Sequence, residues 1–173
     1  MKKATRFLMA AFMLTAFVGF VACDPDENKP DPGPGSGETY EASASYAIYV
    51  DGVEIPAGNT YAYQATETDL NDDIVVIRFI VENKTTSRLT ASHKLELLEG
   101  PSAFNGYEVC AGVSCPWDGN PYPLDPGMNT AYPIKYDIAP SQCPAGSSAL
   151  YKLTVGTGNG LSDPQVIFFR ISL

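Results

Sequence analysis

Residues 74–98 read IVVIRFIVENKTTSRLTASHKLELL, and this stretch decides the fold. Residues 74–82 are almost wholly apolar, broken only by Arg78 and Glu82. Apolar pattern alone would allow a buried helix. The short length and the β-branched Val and Ile residues favour a central strand. Asn83-Lys84-Thr85-Thr86-Ser87 is a polar turn. Residues 88–98 then alternate, with Leu89, Ala91, His93, Leu95 and Leu97 on one face. A period of two means strand, because successive side chains of extended backbone point to opposite faces.

Outward in both directions the same grammar repeats. Residues 40–50 alternate small and aromatic side chains, and Asp51-Gly52 separates them from Val53-Glu54-Ile55. Asp-Gly suits a hairpin turn that needs positive φ at both central positions. Pro56-Ala57-Gly58-Asn59 is a further turn, and residues 60–66 form a Tyr-rich strand. Gly100-Pro101 ends the strand at 88–98, and residues 101–130 are irregular, rich in Pro, Gly and Asn. Residues 131–138 form a strand whose Pro133 predicts an edge position. Ala149, Tyr151, Leu153 and Val155 alternate on one strand, residues 156–163 turn, and Ile167, Phe169, Ile171 and Leu173 share the face of the last. About eight strands with no long helix after residue 22 predict an all-β, antiparallel sandwich over residues 39–173. Its 135 residues suffice for one domain with a real core.

The first 38 residues have other chemistry. Lys2, Lys3 and Arg6 form a basic n-region, and residues 7–21 are an uncharged apolar run too short for a spanning helix. Phe20-Val21-Ala22-Cys23 resembles a lipobox, with Phe20 where Leu is usual. The resemblance implies a signal peptide at 1–22 and a lipidated Cys23 as first mature residue. Cys23 and residues 24–38, with their acids, prolines and glycines, cannot build a core and read as a solvated tether. Acids directly after the lipidated Cys resemble the signal that sends Bacteroidetes lipoproteins to the outer face of the outer membrane. A periplasm-facing placement is the alternative. Loss of residues 1–22 removes three positive charges and no acid, taking the formal charge from −9 to −12. Such acidity opposes nucleic-acid phosphate, so no nucleic-acid partner is expected.

Several motifs in the second half go together: Val81-Glu82-Asn83, then Cys110-Ala111-Gly112-Val113-Ser114-Cys115, then Pro121-Tyr122-Pro123, Gly146-Ser147-Ser148-Ala149-Leu150-Tyr151, Asp163-Pro164 and Phe168-Phe169. This pattern resembles the immunoglobulin-like β domains of secreted Bacteroidetes proteins. The resemblance covers residues 74–173 and implies a fold and an extracellular setting, with no activity. Three cysteines remain after Cys23, and in an oxidising compartment they allow one bridge in three ways. The family spacing implies Cys110–Cys115, which is also the local choice. Cys143 is outside the pattern.

Chemistry-bearing residues are sparse. His93 is the sole histidine, and it falls on the apolar face of its strand, where a core histidine is commoner than a catalyst. A Cys3His zinc site lacks the spacing of any zinc module. Asp69, Asn71 and Asp73 occupy the first three ligand positions of an EF-hand loop, but Ile74 stands where Gly is needed and Ile80 where Glu is needed. A looser calcium turn at these three residues is the metal alternative. No nucleophile elbow or zincin motif occurs, and no cofactor is expected. Tyr107, Trp117, Tyr122 and Tyr132 flank the Cys pair, where aromatic rings on a constrained loop can stack on a sugar or anchor a protein. They could instead plug one end of the sandwich. The expectation is a non-catalytic surface binding module for a protein or glycan. A structural subunit of an outer-membrane complex is the alternative, and an extracellular hydrolase comes third.

Overall fold

The computed structural model describes residues 38–115, 117–131 and 133–173, with the backbone alone of Asp31 and Pro32. The signal peptide, Cys23, Tyr132 and the rest of the tether lie outside the described residues. In chain order the elements are β1 (Asp31–Pro32), β2 (Tyr46–Val50), β3 (Val53–Glu54), β4 (Asn59–Gln64), α1 (Glu67–Asp72), β5 (Val75–Asn83), β6 (Leu89–Glu99), β7 (Glu108–Cys110), β8 (Tyr122–Leu124), β9 (Gly127–Met128), β10 (Ile134–Ile138), β11 (Ser148–Thr157) and β12 (Ser162–Ser172).

Two sheets face each other. One runs β1-β4-β12-β11-β6-β8, the other β3-β2-β5-β10-β7, with β9 beside β5. The N-terminal run changes sheets: β2 pairs antiparallel with β5, and β4 then pairs parallel with β12. The sequences β2-β5-β10-β7 and β12-β11-β6 follow the two sheets of an immunoglobulin-like sandwich. After β7 the chain returns to the first sheet as β8, which covers only Leu89–Ala91 of the eleven-residue β6.

The residues that decided the reading sit as expected. β5 is central, and Val75, Ile77, Phe79 and Val81 face the core. The Asp51-Gly52 hairpin forms with φ of 51° and 81° at its two central residues. Pro133 marks no edge: β10 has β5 on one side and β7 on the other. The strand starts one residue after the proline, so the missing N–H breaks no ladder bond. Thr66 and Asp69 form an unexpected capping box that opens α1, β1 lies inside the segment expected to be tether, pairing with Asn59 and Thr60, and β7, β8 and β9 lie inside residues 101–130, expected to be irregular.

The core is strongly aromatic. Tyr136, Tyr151 and Phe169 pack in mutual ring contact, with Tyr151 stacked on Phe169 at 4.8 Å. The two hydroxyls meet at 2.6 Å, and that of Tyr151 donates to the Phe104 carbonyl at 2.7 Å. With the Tyr151 proton so used, Tyr136 is the donor of the pair. Desolvation pushes both phenols well above the ordinary range, and they stay neutral.

Candidate binding cleft

The short β8 leaves the sandwich open on one side. There a cleft of about 590 Å³ is lined by His93, Lys94 and Leu95 of β6, Tyr107, Glu108 and Val109 at β7, and Trp117. The loop between β7 and β8 shapes it. Cys110 and Cys115 are bridged, and inside the bridge Ala111 and Ser114 exchange two backbone hydrogen bonds of 3.0 Å. Gly112 turns this hairpin at φ 58°, and a Cβ there would stand 2.7 Å from Cβ of Tyr122. The chain then returns along β7, where the Trp117 amide donates to the Val109 carbonyl at 2.6 Å. The indole Nε1–H donates to the Asn120 carbonyl at 2.9 Å.

The indole lies over His93, with ring centroids 3.9 Å apart. His93 is only 4% exposed, and its Nδ1 has no hydrogen-bond partner among the described residues. Burial drives its pKa down to about 4, so the imidazole is neutral at physiological pH. Tyr107 packs edge-on to Tyr151 and against Tyr136, tying the rim to the core. Lys94 is engaged by Glu96 at 2.8 Å. Glu108 is in no ion pair among the described residues. Sγ of Cys115 stands 3.6 Å from its carboxylate, and the disulfide leaves that sulfur with no proton to donate.

Of the four aromatic residues singled out in the sequence, the structure brings Tyr107 and Trp117 to one cleft. Tyr122 is a core residue, 5% exposed, packed behind His93 with ring centroids 6.1 Å apart. It supports the cleft from inside and offers a ligand no surface. Tyr132 lies outside the described residues. Leu95, Val109 and Glu108 were not foreseen as lining. Alternation put Leu95 on the apolar face, but nothing in the sequence signalled that β8 would stop short of it.

The acidic turn is spent on local structure. Asp69 accepts from the Thr66 amide and hydroxyl at 2.7 Å and from the Tyr63 hydroxyl at 2.8 Å. Asp73 accepts from the Ser141 amide and hydroxyl, at 2.7 and 2.6 Å. These bonds hold both carboxyls below their ordinary pKa. Among the described residues the one group with metal-ligand spacing is Glu108, Cys110 and Cys115, whose sulfurs are consumed by the bridge. Cys143 lines a separate cleft of about 570 Å³ with Leu70, Asp73 and Ser141. Burial raises its thiol pKa, which keeps it protonated, and His93 is not in that cleft. Among the described residues no helix is long and apolar enough to cross a membrane.

No protein-family model and no curated protein sequence matches the chain. Among solved structures it is similar to the N-terminal domain of PorA, at a TM-score of 0.47 and 12% identity over 73% of this chain and 96% of that one. It is also similar to a PapD-like domain of human CEP192, at 0.39 and 13% over 78% and 87%. The PKD domain of human KIAA0319 gives 0.36 and 13% over 81% and 88%. Likeness at this level is to architecture alone, and the immunoglobulin-like assignment stands on the strand order described above.

Proposed function

We propose that the chain is an envelope lipoprotein, held in the outer membrane through acylated Cys23. In this reading it presents its sandwich at the cell surface as a non-catalytic binding module for a protein or glycan. The anchoring half rests on sequence: a basic n-region, a short apolar run, a lipobox-like tetrapeptide and an acidic Pro/Gly-rich tether. The binding half rests on one observation. Trp117 and Tyr107 stand at a preformed open cleft, each fixed by hydrogen bonds or ring packing, so little side-chain freedom is lost when a ligand seats.

Trp117 is the sole tryptophan, so its emission reports this cleft alone. The detergent-solubilised mature chain is titrated with glycan panels and with envelope or host proteins. A ligand that shifts the emission, and whose calorimetric binding is lost in Trp117→Ala while circular dichroism is unchanged, supports the reading. A ligand bound equally well by Trp117→Ala places the site elsewhere. Protease shaving of intact cells tests the topology: fragments of residues 39–173 released from sealed cells support surface display, and release only after lysis overturns it.

A further inference from the structure

The cleft is bordered by an unfinished sheet edge, and the directions of its backbone groups follow from the register. The Thr90 carbonyl accepts from the Gly158 amide at 2.8 Å, so Thr90 directs its backbone toward β11. On the other side Thr90 stands opposite Pro123, which has no N–H to give. Leu89 and Ala91 are therefore the residues bonded to β8, opposite Leu124 and Tyr122. Alternation carries this parity along the strand. Ser92, Lys94 and Glu96 bond to β11, while His93, Leu95 and Leu97 direct their N–H and C=O groups outward, beyond the end of β8. Among the described residues none of those three backbones has a partner on that side.

We propose that the cleft receives an extended polypeptide segment, apolar in part and carrying a basic residue, which adds as a strand to the free edge of β6. The proposal rests on the binding reading above and names its ligand class. Three observations select a peptide. The edge offers donors and acceptors at alternate residues, the complement of another extended backbone. Leu95, Val109, Tyr107 and Trp117 provide apolar surface beside it for every second side chain of the added strand. Glu108 brings an exposed carboxylate without a cation, in a mature chain of formal charge −12 after loss of the three basic signal-peptide residues, which favours a Lys or Arg on the ligand. The unpartnered Nδ1 of His93 gives the same ligand one further polar contact at the buried end.

The probe is a display library of linear random peptides, selected on the detergent-solubilised mature chain beside a glycan panel. Backbone amide exchange is then read by NMR. Selected peptides should be enriched in Lys and Arg. They should slow exchange at His93, Leu95 and Leu97 by about tenfold or more, leaving Lys94 and Glu96, already bonded to β11, little changed. Glu108→Lys should weaken their binding. Leu95→Pro removes an N–H that faces no strand, so it should abolish binding in a folded chain; exchange in the unaltered chain decides the matter should that variant fail to fold. Peptides that bind without slowing those three amides overturn strand addition. A glycan that moves Trp117 emission while no peptide does so also overturns it, and leaves the binding module standing. Capture of neither overturns both. A concentration-dependent dimer protecting the same amides without peptide assigns the edge to a second copy and overturns a foreign ligand.

Discussion

The imidazole of His93 lies against the indole of Trp117, with centroids 3.9 Å apart and planes inclined by 33°. One ring comes from the inner face of a long strand, the other from the irregular loop that follows the disulfide. The pair couples a buried titratable group to the best candidate ligand contact. Protonation of the imidazole therefore acts on both the fold and the cleft.

The pH dependence has a definite sign. His93 has a pKa of about 4 in the folded chain and an ordinary value of 6.5 when exposed. Between these values the unfolded chain binds more protons, so stability falls as pH drops. The chain keeps its full stability above about pH 6.5 and loses it progressively toward pH 4, below which nothing further is lost through this group. The total is on the order of 3 kcal/mol. Asp69, Asp73, Asp118 and Asp163, all shifted downward, titrate below this window. Urea unfolding from pH 7 to pH 4 should show the loss in the wild type and a flatter profile in His93→Phe, which keeps a ring against Trp117. Parallel profiles would mean that His93 is hydrated in the folded chain.

The two buried tyrosines should respond unequally to loss of a hydroxyl. Tyr136→Phe removes a donor and leaves the Tyr151 bond to Phe104 intact, which costs about 1 kcal/mol. Tyr151→Phe leaves both the Tyr136 hydroxyl and the Phe104 carbonyl buried without partners, and costs roughly 2–4 kcal/mol. Chemical denaturation of both variants measures the difference. Equal costs would place the shared proton differently from the donor order given above.

The disulfide hairpin gives a third expectation. Gly112 needs both its positive φ and its missing Cβ, since a methyl group would meet Tyr122 at 2.7 Å. Gly112→Ala should cost roughly 1–3 kcal/mol and shift Trp117 emission, because Tyr122 backs His93. Reduction of Cys110–Cys115 should cost about 2 kcal/mol or less, the small value expected for a short loop. The reduced chain should still melt cooperatively, since the Ala111–Ser114 bonds persist. Thermal melts with and without reductant test this.

How much of this was legible varies with the physics involved. β5 and β6 were readable because burial on one face writes a period-two pattern into the side chains. The Asp51-Gly52 turn was readable because few residues tolerate its dihedrals. The cleft was only half readable. Trp117 and Tyr107 stood out as aromatic residues in an irregular stretch, but their convergence on Leu95 and Val109 depends on β8 pairing with β6 no further than Tyr122 opposite Ala91, a long-range fact with no local signature. Tyr122 had the same local look as Trp117 and went to the core, because it directly precedes Pro123 in β8 opposite the buried Ala91. Asp69 drew notice as one of three weak calcium-turn candidates by spacing, whereas the Thr66–Asp69 pair carried the stronger helix-start signal.

The packing on the outer face of the β11–β12 pair can be tested at Tyr40. Leu150, Val166 and Phe168 point away from the main core, yet are buried, and Tyr40 packs on them. Its ring meets Phe168 edge-on at 5.4 Å, lies under the Lys152 ammonium at 5.2 Å, and sits where a Cβ on Gly58 would come within 3.1 Å. Tyr40 thus seals the outer face of the β11–β12 pair. Tyr40→Ala should cost about 2 kcal/mol and increase binding of a hydrophobic dye, because it uncovers three apolar side chains at once. Tyr40→Phe keeps the ring and its contacts with Phe168 and Lys152 and loses the hydroxyl bond to Glu38, a surface contact worth a few tenths of a kcal/mol. Lys152→Met, which removes the cation over the ring, should fall between the two. Urea denaturation of the three variants orders them. If Tyr40→Ala unfolds at the wild-type urea concentration, the ring rides on the surface, and the entry into β2 is held instead through the amides of Ser43, Ala44 and Ser45, which donate to Gln165 and Asp163 of the last strand.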